Sequence, residues 1–383
     1  MLIGYDISSA LPPRTGIGNY SLCLARELAR LIGREDRDDR LLLWFNSLRR
    51  NLPDEDFPDG ARCIRRRGRI PGPWLLSAWQ ALEWPPLESL IGQVDLFHAP
   101  ATYIPPQRSG ARVTTVHDLW FYEQPEHCDR WGGRYLAKRL RKAAGWMDAI
   151  ISVSEYTARE TRERLGIPSE RVHVAHPGVD ARFRPVALDG ARRHPALAGL
   201  PETYLLSVST MEPRKNFPGL LEAYARLLAD EPGAPALVLT GLRPAAGAFS
   251  AEQTQRLSQP PLQGRVFFTG YLPDDALPAL YSRATLFVMP SFCEGFGLPL
   301  LEAMACGAPV ACSQGSALDE SGGAAAWRFD PNDPDSIAAT LLDALRDSAA
   351  LHARAEEGKR HAAKFSWEQC AQKTLKVYRS VVS

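Results

Sequence analysis

Short apolar runs, each leading into a stretch with helical spacing, recur in two series along this chain, and that alternation limits the fold more than any other feature. In the first series Met1–Ile7 reads as a strand and Ile17–Leu31 as an amphipathic helix. Further strands are predicted at Leu41–Phe45, Val94–Phe97, Arg112–Val116, Ala149–Val153 and Val172–Ala175, and a helix opens after Ser154, a good N-cap. The stretch Pro177–Pro201 is rich in Pro and Arg, has no sustained period, and reads as a connection between domains. The second series has strand Tyr204–Ser209, helix Phe217–Ala229, strands Ala236–Thr240 and Val266–Thr269, and a helix near Ala276–Ser282. It continues with the apolar run Ala284–Pro290, a helix over Leu298–Cys306 and a strand at Pro309–Cys312. Strands alternating with helices predict a parallel, doubly wound α/β sheet. A chain of 383 residues is long enough for two of them. In open sheets of this kind the ligand crevice lies at the carboxyl ends of the strands.

The most informative motif follows one such strand: Ser291-Phe-Cys-Glu294-Gly-Phe-Gly297-Leu-Pro-Leu-Leu-Glu302-Ala-Met-Ala-Cys-Gly307. Two glycines in the turn let backbone N–H groups come close to a ligand, and the new helix points its positive end at the same spot, which suits phosphate. Glu294 lies in the turn and Glu302 on the helix, so both carboxylates are predicted to face one cleft. Acids beside a phosphate site bind hydroxyls rather than the anion. A sugar nucleotide combines both groups. A second motif, Thr210-Met-Glu-Pro-Arg214-Lys215-Asn216, joins strand Tyr204–Ser209 to its helix, with Asn216 as N-cap and Pro218 in the first turn. The helix dipole disfavours two cations at that end; an anion between Arg214, Lys215 and the backbone resolves the conflict.

The spacing Glu294 to Glu302, together with the Glu-Pro-Arg-Lys-Asn block, resembles the signature of retaining glycosyltransferases of family 4, whose fold is GT-B: two Rossmann-like domains facing across a cleft. Thr-Gly-Ile-Gly, His-Asp, Ser-Val-Ser-Glu and Pro-Gly-Val-Asp support the resemblance in order along the chain. It implies an acceptor-binding domain over 1–185, a nucleotide-sugar donor domain over 186–366, and a final helix, 367–383, packing back on the first. It also implies that Arg214 and Lys215 grip the donor diphosphate with the backbone from Gly295 through Phe296 and Gly297 to Leu298. Glu302 then holds the ribose hydroxyls and Glu294 those of the sugar. The additional arginine that many members carry upstream is replaced here by Val208-Ser209-Thr210.

In the first half, Arg14-Thr-Gly16-Ile-Gly18-Asn-Tyr20 is expected to form a loop between strand and helix. It lacks the third glycine of a dinucleotide fingerprint, with Ser21 in that place, so a nicotinamide site has weak support. The resemblance assigns Gly16 and Gly18 to the donor phosphates and sugar instead. Val116-His117-Asp118 closes a strand at its carboxyl end, and the resemblance places His117 on the transferred sugar. Asp118 either orients the ring or meets a hydroxyl. His98 and His176 read as structural.

Metal-binding Asp-x-Asp triplets occur at Asp36–Asp38, Asp54–Asp56 and Asp333–Asp335, all in charged or Pro-containing loops, so neither a metal nor another cofactor is expected. Seven cysteines without Cys-x-x-Cys spacing, and no signal peptide or long apolar span, point to a reducing cytoplasm. A formal net charge of +1 gives a nucleic-acid partner no support, but residues 1–185 carry 27 Lys+Arg against 23 Asp+Glu and the remainder 18 against 21. Within that basic half, Arg65-Arg-Arg-Gly-Arg69 precedes Trp74, Trp79 and Trp84, and a basic, aromatic helix is predicted from Arg130 to Lys142. Both suit peripheral docking on an anionic inner membrane face.

The resemblance as a whole implies metal-independent, retaining transfer of a hexose in lipopolysaccharide or O-antigen synthesis. The donor it favours is GDP-mannose, or a GDP-rhamnose, and the acceptor lipid-linked or polysaccharide. UDP-sugar donors, an epimerase of the same fold and a non-catalytic sugar-nucleotide-binding subunit are the alternatives; a pyridoxal-dependent phosphorylase lacks its lysine motif.

Overall fold

The computed structural model describes residues 1–12, 14–35, 37–52, 57, 62–101, 104–124, 140–192, 194–241 and 255–382. Among the described residues thirteen strands run in chain order: β1 Leu2–Asp6, β2 Arg40–Asn46, β3 Cys63–Gly68, β4 Leu96–Ala99, β5 Ala111–Val116, β6 Ala149–Ser152, β7 Val172–Val174, β8 Tyr204–Val208, β9 Ala236–Thr240, β10 Val266–Gly270, β11 Leu286–Met289, β12 Val310–Ser313 and β13 Trp327–Phe329. They form two parallel sheets, one in the order β3-β2-β1-β4-β5-β6-β7 and the other β10-β9-β8-β11-β12-β13. In each, the chain moves outward from a central strand and then reverses, the doubly wound arrangement whose switch point lies between β1 and β4, and between β8 and β11. The strands are buried on both faces: Leu41 to Phe45 in β2 are all at most 4% exposed.

The main helices are α1 Gly16–Arg34, α2 Gly72–Leu82, α3 Glu155–Leu165, α4 Phe217–Asp230, α5 Leu277–Arg283, α6 Leu298–Ala305, α7 Pro334–Arg346, α8 Ser348–Ala362 and α9 Trp367–Val382. Their caps follow the sequence. Thr15 accepts from the Gly18 N–H, Ser154 from Thr157 and Asn216 from Gly219, while Gly166 closes α3 in the left-handed region. None of the described helices is long and apolar enough to cross a membrane.

The chain divides into two compact units, 1–178 with 366–383, and 179–365. This moves the first boundary back from the expected 185. The stretch after Gly178 is not a free connection: Phe183 is buried against Tyr281, Ala191 and Leu197 are buried, and Arg182 donates to Asp274 at 3.2 Å. Residues 179–201 therefore belong to the second unit.

The last helix, α9, lies in the first unit against α1. Its buried positions, Trp367, Cys370, Ala371, Thr374, Leu375, Val377 and Tyr378, repeat at three and four residues. Tyr378 reaches the sheet: its hydroxyl meets Nδ1 of His98 at 2.5 Å, and Nε2 of His98 meets the Thr115 hydroxyl at 2.9 Å. Burial, with His117 as a smaller contributor, pushes His98 down to about 3, so the ring is neutral.

Strand β3 has no apolar pattern to announce it. Of the arginines read as a membrane patch, Arg65 to Arg67 lie in an edge strand, where cations blunt further pairing. Arg66 donates to the Ile91 carbonyl and Arg67 to that of Ser47. Trp79 is likewise buried, at 3%, with its indole N–H on the Pro85 carbonyl. The predicted basic helix lies, from 130 to 139, outside the described residues.

Replacing Tyr378 by Phe leaves a buried His98 nitrogen without its partner. We expect a loss of about 1–3 kcal/mol in the first unit's urea unfolding transition, and a Tyr378→Phe chain with the native midpoint contradicts this role for the hydroxyl.

Candidate functional site

In the second unit the turns after β8 and β11 meet at the carboxyl ends of adjacent strands. The β8 turn is a single 3-10 turn, Pro213–Lys215, ended by Asn216 in the left-handed region at φ 52°. The buried Asn216 side chain accepts from the Gly219 N–H and donates to the Pro331 carbonyl at 2.7 Å, which holds the turn in place. The two turns are joined by a backbone hydrogen bond from Phe292 N–H to the Arg214 carbonyl, 2.9 Å.

This junction carries a three-residue ion cluster. Arg214 donates to Oε2 of Glu294 at 2.9 Å and to the Cys293 carbonyl at 3.0 Å; Lys215 Nζ donates to Oε1 of Glu294 at 2.7 Å. All three side chains are at most 15% exposed. The counter-charge sought for the two cations thus lies within the chain itself. Burial acts to raise the Glu294 carboxyl, but the charges of Lys215 and Arg214, aided by hydrogen bonds from Lys215 and Ser291, outweigh it and hold the group at about 2. Glu294 is ionised at neutral pH, and two cations share its single charge. The other acid near Arg214, Glu212 at 3.8 Å, is half exposed and contributes little.

Gly297 sits at φ 92° as the N-cap of α6 and offers no side-chain cap; a Cβ there would lie 2.5 Å from Leu318. Only glycine fits, and α6 begins one residue after the ion cluster's loop with its dipole uncapped by any side chain. The loop residues Gly295 and Phe296 lead into this helix, whose first residue is Leu298, with Phe296 buried.

Glu302, one turn further along α6, does not join the cluster's hydrogen bonds. Tyr281 on α5 donates to its Oε2 at 2.9 Å. Burial pushes Glu302 up to about 7; Tyr281 and Arg182 pull it back, and Asp180 and Asp274 add to the rise. Sequence reasoning missed these four neighbours. Asp180 belongs to the Pro-Gly-Val-Asp block, the one signal in the sequence that pointed toward them.

The remaining candidates lie in the first unit. Gly16 and Gly18 are not in a loop: they form the first turn of α1, because the Thr15 cap starts the helix there. Gly18 is required by close packing, since a Cβ would lie 2.4 Å from the Ser9 carbonyl oxygen, whereas Gly16 faces open space. His117, directly after β5, donates Nε2–H to the Pro100 carbonyl at 2.7 Å, and its ring meets that of Tyr20 edge-on at 4.7 Å. Burial lowers its pKa against the opposing pull of Pro100 and Asp118, which favours the neutral ring with Nδ1 as its acceptor. Asp118 accepts from the Trp120 N–H at 3.2 Å and so fixes the turn after β5.

Asp333 of the described acidic triplet caps α7 through the Asp335 N–H, while Asp36, Asp54 and Asp56 lie outside the described residues. Among the described residues no three His, Cys, Asp or Glu side chains are grouped to hold a metal ion.

The two carboxylates titrate in opposite senses. Glu302, raised to about 7 from an ordinary 4.5, favours the fold while protonated, a contribution complete below 4.5 and lost as pH rises through 7. Glu294, lowered to about 2, favours the fold while ionised, and that contribution disappears as pH falls from 4.5 through 2. In urea unfolding, Glu302→Gln is therefore expected to gain on the native chain as pH is raised from about 5 to about 8. Glu294→Gln, which strands two cations, is expected to lose roughly 3–5 kcal/mol at neutral pH. Equal and pH-independent effects of the two substitutions contradict this assignment.

Comparison with known proteins identifies the family. Residues 14–183 match the family described as Glycosyltransferase Family 4, and residues 193–361 that described as Glycosyl transferases group 1. The chain is 33% identical over 379 residues to the O-antigen chain mannosyltransferase B of Escherichia coli, covering 96% of each protein. The sucrose-phosphate synthase of Thermosynechococcus elongatus superposes with a TM-score of 0.75 at 22% identity, over 99% of this chain and 98% of that one. Anabaena HepE, solved with UDP and glucose, gives 0.70 at 18%, over 99% of both. These two neighbours share the GT-B fold with it. With both halves matched and a curated relative aligned along nearly its whole length, the chain belongs to the family 4, group 1 glycosyltransferases.

Proposed function

We propose that this glycosyltransferase is a retaining, metal-independent enzyme of cell-surface glycan synthesis that transfers mannose from GDP-mannose to a lipid-linked or polysaccharide acceptor. The reading rests on the buried Arg214–Glu294–Lys215 cluster beside the uncapped start of α6, an arrangement that presents excess positive charge at the carboxyl end of a sheet. The identity to an O-antigen mannosyltransferase over 96% of the chain favours mannose as the sugar.

In this mechanism Arg214, Lys215 and the N-terminus of α6 bind the diphosphate and stabilise the charge that grows on it as the glycosidic bond breaks. Departure precedes attack. The acceptor hydroxyl then adds on the face the diphosphate has left, and its proton passes to the departing phosphate oxygen. Glu294 is unsuited to take that proton, because two cations hold its carboxyl near 2. Its free lone pairs accept from sugar hydroxyls instead. Glu302 accepts from the ribose hydroxyls. In the first unit, taken by itself, His117 presents Nδ1 as an acceptor suited to a sugar hydroxyl, and Gly16 and Gly18 stand at the amide end of α1, which suits phosphate. Cation chemistry supplied by a metal in other transferases falls here to side chains and helix dipole.

Lys215→Ala is expected to lower transfer by ~10²-fold or more, with turnover unchanged by a chelator; near-native turnover in that variant removes Lys215 from the mechanism. Because only the ionised Glu302 accepts two hydroxyls, the donor KM should fall as pH rises through about 7, and Glu302→Gln should abolish that dependence. A thermal-shift panel of GDP- and UDP-sugars tests the base, and NMR of the product's anomeric configuration tests retention. Donor hydrolysis without acceptor separates an enzyme from a binding subunit.

A further inference from the structure

Glu302 has one oxygen engaged and one open. Tyr281 donates its hydroxyl to Oε2 at 2.9 Å, and among the described residues nothing hydrogen-bonds to Oε1. The residue is half-buried, so that second oxygen is within reach of a ligand. The tyrosine that makes the bond is fixed in place. Its side chain has 0% exposure, with Phe183 edge-on at 5.9 Å and Phe287 of β11 edge-on at 5.6 Å. Two such contacts set the ring plane, and with it the position of the phenolic oxygen. Burial, with Glu302 beside it, holds the Tyr281 hydroxyl well above its ordinary range, so it keeps its proton and acts as donor.

The other charged and titratable groups facing Glu302 do not orient it. Arg182 and Asp180 come from the segment after Gly178, Asp274 from the turn before α5, and Cys306 from the end of α6. Arg182 donates to Asp274 at 3.2 Å and so divides its charge. Asp180 and Asp274 oppose ionisation of Glu302, and Cys306, pushed up to about 12, is a neutral thiol. A glutamate side chain turns about several bonds, and a hydrogen bond to a rigid partner selects one orientation before any ligand arrives. Packing alone does not call for a hydroxyl here, since Phe183 and Phe287 touch the ring and phenylalanine fills the same space.

We propose that Tyr281 is a positioning residue for the donor: its hydroxyl anchors Oε2 of Glu302 and leaves Oε1 presented to the ribose hydroxyls of a nucleoside diphosphate sugar. The inference deepens the reading of Glu302 as the group that binds ribose, and rests on it. Guanine and uracil nucleotides carry the same diol, so the effect of Tyr281 is independent of the base.

Two measurements test this without any glycan acceptor. Carboxyl NMR of the ligand-free chain, with the Glu302 signal identified by its absence from Glu302→Gln, reads the contact itself. The native signal is expected to titrate near pH 7 and that of Tyr281→Phe at higher pH, because the lost hydrogen bond favours the ionised form. Calorimetric titration with GDP and with UDP reads the consequence. At about pH 7, Tyr281→Phe should bind the nucleotide that the native chain prefers about tenfold more weakly, a loss that shrinks by about pH 9. Tyr204→Phe is the control: that hydroxyl is equally buried but donates to the Leu280 carbonyl at 2.7 Å. It should lower the melting temperature and move neither readout. An unmoved Glu302 titration in Tyr281→Phe, native nucleotide affinity in that variant, or an equal loss in Tyr204→Phe overturns the proposal. If Glu302→Gln binds both nucleotides like the native chain, or the native chain binds neither, the assignment of Glu302 to ribose fails and takes the proposal with it. Weak binding by Glu302→Gln beside native binding by Tyr281→Phe defeats the proposal alone.

Discussion

One buried carboxylate between two cations organises the second unit's functional end. Glu294 reaches from the β11 turn to Arg214 and Lys215 of the β8 turn, and a backbone hydrogen bond from Phe292 to Arg214 runs beside it. Taking three charges out of water is costly, and their attraction repays it only with good geometry on every donor and acceptor. That demand explains the rigid parts around the cluster: the left-handed Asn216 tied to Pro331, and Gly297, where no other residue fits. The cluster is thereby preorganised, so the diphosphate of the proposed donor would meet cations already oriented rather than flexible lysine and arginine chains.

The same motif holds a second carboxylate under opposite electrostatics. Glu302 lies eight residues beyond Glu294, yet burial without a direct cation lifts it to about 7, while Glu294 is held at about 2. Two glutamates of one turn and helix are thus divided into a fixed anion and a group that changes charge near neutrality. Their sequence spacing is shared; their partners are not, since Glu302 is surrounded by Tyr281, Arg182, Asp180 and Asp274 from three other segments.

Much of the architecture was legible because buried parallel strands are written as unbroken apolar runs. Leu41–Phe45 and Leu286–Met289 need no periodicity to be recognised, and Thr15, Ser154 and Asn216 mark helix starts by their caps. Edge strand β3 was invisible for the converse reason: a strand paired on one side tolerates Arg65, Arg66 and Arg67, and three arginines resemble a solvated patch. Arg214, Lys215 and Glu294 could be assembled from two turns at neighbouring strand ends. The Tyr281 and Arg182 contacts of Glu302 could not, because they depend on how α5 and the segment after Gly178 pack, and no local pattern encodes that packing. The start of α1 was legible to within one residue, Ile17 against Gly16, though Gly18 was given to a loop; it is there to let the helix approach Ser9.

The helix α9 also bears on how the protein is made. Residues 366–383 fill the first unit, where Tyr378 reaches His98 and Trp367 packs on Tyr20, although they follow the whole second unit along the chain. The sheet of the first unit therefore emerges early but stays unfinished, with Tyr20 and His98 uncovered, until residues 366–383 have been made. The second unit, continuous from 179 to 365, has no such dependence. Its completion comes first, and the earlier-born unit closes last.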